Sequence, residues 1–419
     1  MNVCPTTSAG IQTLEYSNNF NKMSEIRAAY NKAFTTQKYE AFLDDISKIY
    51  NHRPTFRIAE TPLFIPNDLK ERLIEACDEI SDVIVRPDFM EMTEEAIEYR
   101  VPNEPDYSLF VQMDFGITKD ENGDLIPQLI ETQGFPSLYF FQDLLASAYR
   151  KHFDIPENMS SYFGGLNPTT YIDKLRQHIV GASNPENVIL LEVEPIQQTT
   201  YIDFLAAEEK LGIKMLCVTD LKVDGKDLYY LNDAGERVAV ERIFHRVIFD
   251  ELMGQSKVLE MMEFDFQKEY NVEWVGHPNW FFRISKYTMP FLDSKYVPKC
   301  YFLDKLETYP ADLENYVLKP LYSFAGSGVK FNVTTEELDA IENKQNFILQ
   351  RKVTYAPVVE SPSDPVKCEI RMLMLWEGNG TRPYLVNNLA RLSRGEMIGV
   401  RYNKDKDWVG GSVAFFEQD

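Results

Sequence analysis

The sequence predicts a mixed α/β fold of the α+β class with a small parallel sheet, and three observations lead to that class. Early segments repeat apolar residues at helical spacing, whereas later segments alternate apolar and polar residues as strands do. A strand–helix–strand succession near the middle implies parallel pairing with a right-handed crossover. A hydrophobic content of 44% over 419 residues is ample for packed cores in two or three structural units.

Residues 1–105 are predicted to form an N-terminal helical region, of which the first twenty residues are polar. Apolar residues recur every four positions from Asn21 to Asn51, which indicates helix. A second helix is expected to begin at Asn67, a residue type favoured at the N-cap, and to continue through Ile80.

Residues 106–165 are predicted to contain a β-hairpin. Two strand-like runs, Tyr107–Phe115 and Leu125–Glu131, flank a polar turn with an Asn122-Gly123 step. The second strand-like run is followed by Thr132 and Gln133, so the predicted hairpin ends in polar residues.

Residues 166–275 are predicted to form a βαβ unit followed by a hairpin. The strand 187–193, the amphipathic helix Tyr201–Leu211 and the strand Lys214–Val218 supply the βαβ succession, and residues 228–240 supply the hairpin. In residues 276–419, short strands and helices alternate.

The formal charge of −22 argues against nucleic acid and anionic membranes as partners, because both require clustered Lys and Arg. The five cysteines are widely spaced and odd in number, which is typical of reduced thiols. The sequence shows no secretory signal pattern and no apolar run of membrane-spanning length. A cytoplasmic protein is therefore expected, and a homodimer is the default assembly.

A candidate phosphate-binding element follows the strand-like residues 316–318. Lys319 lies at the end of the strand beside Pro320, and Gly326-Ser327-Gly328 follow, so that a lysine and a glycine loop could meet an anion. The spacing is not that of a Walker A loop. The alternative interpretation is an ordinary hairpin turn.

A second candidate element is the strand that ends at Gln350-Arg351-Lys352-Val353. Its backbone groups could meet the edge of an adenine ring, with Val353 packing against the ring. An ordinary strand entering a loop remains the alternative.

Two arginines are candidates for stabilising a phosphoryl group. Alternation places Glu369 and Arg371 on one face of a strand, and Arg391 lies on the next strand-like segment. Such arginines can stabilise charge that develops during phosphoryl transfer. The alternative is a Glu–Arg pair at the protein surface, worth under roughly 1 kcal/mol.

Oxygen-bearing side chains on the predicted hairpin are candidate magnesium ligands. Asp114 and Glu131 occupy related positions on its two strands, and Gln133 shares a face with Glu131. Mg²⁺ bound with ATP commonly uses one or two carboxylates. The five histidines are scattered, which argues against zinc.

Taken in order, these motifs resemble the ATP-grasp superfamily, and in particular its circularly permuted branch, which includes glutathionylspermidine synthase and eukaryotic glutathione synthetase. The segments that carry the resemblance lie in patches between Ser108 and Phe416. It implies a permuted ATP-grasp domain in which the hairpin of residues 106–165 carries the metal ligands. Residues 166–275 would then be a pre-grasp substrate domain, and residues 276–419 the nucleotide-binding subdomains.

The resemblance also implies ATP and Mg²⁺ as cofactors, with roles for individual residues. The family pattern Glu-x-Asn is Glu131-Thr132-Gln133 here, so a glutamine stands where the family has asparagine. The implied ATP-binding residues are Lys286, Lys319, Gly326, Ser327, Gly328, Gln350, Arg351 and Val353; the implied metal ligands are Asp114, Glu131 and Gln133; Arg371 and Arg391 would face the transferred phosphate.

The activity implied by the resemblance is ATP-dependent ligation of a carboxylate to an amine or related nucleophile through an acyl phosphate. Two alternatives stay open. One is a non-catalytic nucleotide-binding module, favoured by Gln133 and by Gln112, which lies two residues before Asp114 where the family often has arginine. The other is a phosphotransferase on the same fold. The sequence does not identify the substrates.

Overall fold

The computed structural model describes residues 23–322, 326–378, 380–395, 398 and 406–418. The α-helices span 23–33, Thr36–Ile49, Asn67–Ile84, Phe89–Met92, Tyr139–His152, Pro168–Ile179, Tyr201–Leu211, Phe249–Met253, Ser256–Met261, Asn279–Arg283 and Thr335–Asp339. The 3₁₀ helices span Glu94–Ala96, Pro185–Asn187, Pro195–Gln197, Lys286–Phe291, Leu303–Lys305, Leu313–Asn315 and Lys344–Asn346.

Strands alternate with these helices along the described chain. They are β1 (Leu63–Ile65), β2 (Phe110–Lys119), β3 (Leu125–Gln133), β4 (Met159–Ser160), β5 (Val188–Glu192), β6 (Lys214–Cys217), β7 (Lys222–Asp224), β8 (Asp227–Leu231), β9 (Arg237–Val240), β10 (Arg242–His245), β11 (Glu273–Val275), β12 (Cys300–Phe302), β13 (Tyr316–Pro320), β14 (Lys330–Phe331), β15 (Phe347–Arg351), β16 (Lys367–Leu375), β17 (Tyr384–Ser393), β18 (Gly410–Ser412) and β19 (Ala414–Glu417). The predicted mixed α+β class is confirmed.

A five-stranded antiparallel sheet, ordered β18-β17-β16-β2-β3, forms the centre of the molecule. The predicted hairpin is confirmed as β2 and β3, and Asp114 lies directly opposite Glu131. Met113 and Phe115 point to the other face, where they share a core with Leu69 from the helix Asn67–Ile84. The polar residues of the central strands are thereby directed to the face that carries the candidate site.

A four-stranded parallel sheet, ordered β11-β10-β5-β6, lies in the second part of the chain. The predicted βαβ unit is confirmed, because β5 and β6 are parallel neighbours joined through the helix Tyr201–Leu211. The predicted hairpin that follows is confirmed as β8 and β9. The order of strands reverses between β5 and β10, so the carboxyl ends of those strands define a crevice.

A four-stranded antiparallel sheet, ordered β12-β15-β13-β14, carries the candidate nucleotide residues. Leu318 and Leu349 lie on one face of this sheet within a small core of their own. Lys319 and Gln350 lie on the opposite face, which is turned toward β3. Two small sheets, β1-β19-β4 and β7-β8-β9, complete the strand pairing described.

Two details of the N-terminal helices differ from the sequence prediction. The helix expected from Asn21 to Asn51 is interrupted, because the side chain of Thr35 accepts a hydrogen bond from the Lys38 N–H and caps a new helix. Asn67 is not the N-cap that was predicted. Pro66, with extended backbone angles, precedes the helix and Asn67 is its first residue, since the fixed φ of proline suits the entry to a helix.

None of the helices in the described ranges combines the length and the apolar character that crossing a bilayer requires. The cysteines within those ranges, Cys77, Cys217, Cys300 and Cys368, form no disulfide.

Candidate functional site

Five charged residues form a continuous row across the central sheet, and we call Asp114, Glu131, Glu369, Arg371 and Arg391 the charged row. Arg371 on β16 lies opposite Asp114 on β2, which lies opposite Glu131 on β3. Arg391 on β17 lies opposite Glu369 on β16. Three of the five side chains, those of Asp114, Glu369 and Arg371, are buried, so the surface-pair interpretation of Glu369 and Arg371 is wrong.

Asp114 is the most strongly bound member of the charged row. Arg371 donates to both of its carboxylate oxygens, Nε to Oδ1 at 2.5 Å and Nη2 to Oδ2 at 2.7 Å. Arg391 Nη1 donates to Oδ2 at 2.9 Å and also to Glu369. Burial by itself would raise the pKa of Asp114, but the two guanidinium groups outweigh burial and hold that pKa below its usual range.

The other two carboxylates of the row differ in electrostatic character. Burial raises the pKa of Glu369, and Arg391 only partly offsets that effect. For Glu131 the balance is reversed: burial opposes ionisation, yet Lys286 and other nearby cations hold its pKa below the usual value. The row therefore presents carboxylates of unequal basicity beside two arginines.

Both predicted lysines reach the Glu131 end of the row. Lys286 Nζ lies 3.5 Å from Glu131 Oε2, and Lys286 begins the 3₁₀ helix capped by the Ser285 side chain. Lys319 Nζ donates to the backbone carbonyl of Ile130 at 3.0 Å. Burial lowers the pKa of Lys319, although Glu131 acts in the opposite direction. The structure thus brings together two lysines that are 33 residues apart in sequence.

The face of the four-stranded sheet that carries Lys319 also carries Gln350. The Gln350 amide donates to the backbone carbonyl of Leu129 at 3.1 Å, next to the bond from Lys319 to Ile130. We call this contact between the sheet and β3 the seam. The side-chain oxygen of Gln350 is buried there without a hydrogen-bond partner among the described residues, so it is an unused acceptor inside the seam.

The predicted nucleotide residue Arg351 does not direct its side chain into the seam. Arg351 alternates to the opposite face of the sheet, where it pairs with Asp312 at 3.0 Å. Val353 is half-buried just beyond the end of β15. Any contact of Arg351 with an adenine ring at the seam would therefore have to come from its backbone.

The glycine loop connects the antiparallel strands β13 and β14, so the hairpin geometry considered from the sequence is present. Gly326 and Gly328 have φ values of +71° and +72°, which favour glycine. A Cβ atom on Gly328 would lie 2.7 Å from Pro320 Cγ. Ser327 is exposed between them, whereas Phe324 and Ala325 of the same motif lie outside the described residues.

The predicted metal ligands are engaged with other side chains. Both oxygens of Asp114 are occupied by guanidinium groups, and Gln133 directs its amide nitrogen to Glu131 Oε1 at 2.7 Å. Within the described ranges, no three Asp, Glu, His or Cys side chains form a group suited to a metal ion. The arrangement around Asp114 therefore does not fit a magnesium ion bound to that carboxylate.

A second buried group, which the sequence analysis did not identify as a site, lies at the carboxyl ends of the parallel strands. Arg246 follows β10, and its Nε and Nη1 atoms are buried without hydrogen-bond partners among the described residues. Its guanidinium lies 5.1 Å from the ring centroid of Phe135, beside the end of β3. Glu192, which ends β5, has a pKa raised to about 8 by burial. The signal that could have identified Arg246 and Glu192 is their position at the carboxyl ends of parallel strands, where ligands commonly bind.

Two cavities differ sharply in size and in relation to the charged row. A cavity of about 610 Å³ is lined by the helix Thr36–Ile49, residues 53–58 and Thr199, and contains none of the predicted site residues. A cavity of about 20 Å³ lies between Glu131, Lys286 and Tyr322. We place the candidate site at the smaller cavity, because Lys286 and Glu131 line it and the charged row continues from Glu131.

Comparisons with known proteins support the fold. No protein-family model matches the chain, and no curated protein matches it in sequence. Among solved structures, it is similar to a glutathione synthetase-like effector (GSS30) from Globodera pallida in its apo form. The similarity covers 91% of this chain and 96% of that chain, with a TM-score of 0.57 and 13% identity. At this identity, the likeness establishes a glutathione synthetase-like fold.

Proposed function

We propose that this chain binds ATP at the seam and uses it to activate a carboxylate, as an ATP-dependent ligase does. The observation that carries the proposal is the convergence of four cations on one small cavity and its adjoining row. Lys286 and Lys319 stand at the Glu131 end, and Arg371 and Arg391 stand along the strands beside it. A local group of cations in an otherwise acidic protein can attract a polyphosphate anion.

Nucleotide entry requires the four-stranded sheet to move away from β3, because a 20 Å³ cavity holds no more than about one water. Two hydrogen bonds would break, those from Lys319 to Ile130 and from Gln350 to Leu129. Each is worth about 1 kcal/mol net. The lysine and the amide would then be free for the phosphates and the base.

The acceptor carboxylate would bind at Arg246. Its buried guanidinium has N–H groups without partners, which a substrate carboxylate would satisfy with charge-assisted hydrogen bonds. Phe135, whose ring lies against the Arg246 guanidinium, also lines the small cavity beside Glu131, so the two sites adjoin. A substrate with one carboxylate at Arg246 and a second at the charged row would bring its reacting oxygens to Arg371 and Arg391.

In the proposed reaction, a substrate carboxylate oxygen attacks the γ-phosphorus of ATP and the bond to the ADP oxygen breaks. Arg371 and Arg391 would stabilise charge on the phosphoryl oxygens as they transfer. An amine then attacks the acyl carbon and inorganic phosphate leaves, while the proton of the amine passes to solvent or a nearby base. The protein supplies position and charge, and no covalent intermediate on the enzyme is required.

A non-catalytic nucleotide-binding module is the second candidate. The specific observation in its favour is the enclosure of Asp114 by two arginines, which withdraws that carboxylate from metal chemistry. On this alternative, ATP or ADP binds and stabilises the fold, but no pair of substrates provokes phosphate release.

Thermal unfolding of the full chain with ATP tests the binding step. ATP at 100 times its Kd should stabilise the native state by about 2.7 kcal/mol. The variant Lys319→Ala should lose that response, while Lys330→Ala, which removes an exposed lysine on the neighbouring strand β14, should retain it. An unchanged ATP response in Lys319→Ala would contradict the assignment of the seam.

Phosphate release from ATP in the presence of mixed carboxylates and amines tests the ligase step. Release that needs both substrate classes, and that falls at least tenfold in Arg246→Met, supports ligation. ATP stabilisation without release in any mixture supports the non-catalytic module instead.

A further inference from the structure

We infer that Arg371 and Arg391 take the place of a divalent cation at Asp114, so that this site binds nucleotide without requiring magnesium. The inference rests on the proposed binding of ATP at the seam, and it names the charge chemistry by which that binding occurs.

The first argument is the number of guanidinium donors around Asp114. The carboxylate is 1% exposed and accepts three hydrogen bonds from two guanidinium groups. Arg371 is itself held in place by Gln112, whose side-chain oxygen accepts from Nη1 at 3.0 Å. These donors fill three of the roughly four lone-pair sites of the carboxylate, and a divalent cation placed at Asp114 would lie beside two guanidinium charges that repel it.

The second argument is the balance of charge around the cavity. Three carboxylates in the row are accompanied by two arginines, and Lys286 and Lys319 add two more cations. Four cations thus exceed three carboxylates without any metal. A guanidinium matches phosphate oxygens with paired N–H donors, and it carries its charge at every physiological pH.

The third argument is that Arg391 retains donors for an anion. Its Nη1 atom makes the bonds to Asp114 and Glu369, and neither Nε nor Nη2 bonds to any residue that the structure describes. The side chain is 23% exposed, in contrast to 5% for Arg371. Arg391 is therefore the guanidinium that can meet phosphate without first leaving Asp114.

The test measures ATP affinity by calorimetry for the full chain, once with excess EDTA and once with excess MgCl₂. We expect the two dissociation constants to agree within about threefold, because the cations that neutralise the phosphates belong to the protein. Binding that is seen only with MgCl₂, or that is at least tenfold tighter with it, overturns the inference and leaves the proposed ATP site standing. Absence of binding in both buffers overturns the inference and the proposed function together.

The variant Asp114→Asn separates the two roles of this carboxylate. If Asp114 competes with phosphate for the arginines, metal-free ATP should bind about tenfold more tightly once one negative charge is removed nearby. If Asp114 were a metal ligand, the variant would bind ATP more weakly in MgCl₂, which would overturn the inference. Asp88→Asn is the matched control, because both carboxylate oxygens of Asp88 also accept hydrogen bonds from one arginine, Arg86, but at the exposed surface.

A second variant keeps the inference testable if Asp114→Asn does not fold. Arg391→Gln removes the more exposed guanidinium and leaves Arg371 on Asp114. The loss of ATP affinity should be equal in EDTA and in MgCl₂. A loss confined to the MgCl₂ buffer would show that the arginine acts through a metal, and would overturn the inference.

Discussion

Replacing Glu192 by glutamine should stabilise the protein, and the gain should grow with pH. Glu192 ends β5 and is 4% exposed, and its Oε1 accepts a hydrogen bond from the Val193 N–H at 2.7 Å. Burial raises its pKa from 4.5 to about 8, and the nearby Arg246 only partly offsets this. The native state therefore holds a proton that the unfolded chain releases at lower pH.

The sign follows from that difference in proton binding. Below pH 4.5 both states are protonated and Glu192 carries no penalty. As the pH rises toward 8, only the unfolded state gains by ionising, so the folded state is progressively destabilised. At about 1.4 kcal/mol per pH unit, the penalty is about 1 kcal/mol at pH 5 and about 3 kcal/mol at pH 7.

Urea unfolding of wild type and Glu192→Gln at pH 5 and pH 7 measures this effect. The variant keeps a carbonyl oxygen for the Val193 N–H, so it should recover most of the penalty: a small gain at pH 5 and a gain of about 3 kcal/mol at pH 7. Glu121→Gln, in the exposed turn between β2 and β3, should show no such pH dependence. An equal effect of Glu192→Gln at both pH values would refute the reasoning.

Two further substitutions test packing and buried charge. Gly328→Ala should lower the free energy of unfolding by about 1–2 kcal/mol because of its positive φ, and by more because of the contact with Pro320. Gly235→Ala, at φ +79° in open space, should show the backbone cost alone. Urea unfolding compares the two variants, and equal costs would contradict the close approach of Gly328 to Pro320. Arg283→Met should destabilise the protein by about 3–5 kcal/mol because it breaks the buried ion pair with Glu104. Arg237→Met, which breaks the exposed pair with Asp224, should cost under about 1 kcal/mol. Similar costs for the two variants in thermal unfolding would contradict the importance of the buried pair.

Local patterns predicted the elements that local interactions form. The hairpin β2–β3 and the βαβ unit were confirmed, because strand alternation, an Asn-Gly turn and helical spacing are properties of short segments. The alternation at Glu369 and Arg371 correctly indicated a shared face. The position of the N-cap at Asn67 was wrong by one residue, since both proline and asparagine are favoured near the start of a helix.

The buried group at Arg246 was missed for a different reason. A single arginine after a short strand carries no periodic signal. Its importance comes from β10 lying beside β5, which brings Arg246 near Glu192, some fifty residues earlier in the chain. That adjacency is a property of the sheet order, not of either segment.

The sequence by itself supplied the candidates for binding an anion: two lysines, two arginines and a glycine loop in an otherwise acidic chain. It also determined the alternation that places Asp114, Glu131 and Arg371 on polar faces, because strand periodicity is local. Only the tertiary structure decided that β16 lies between β17 and β2, so that both arginines reach Asp114 across more than 250 residues of chain. The partners of a buried carboxylate depend on which strands lie next to its own strand. Asp114 therefore pairs with two arginines, where the sequence had predicted a metal ion.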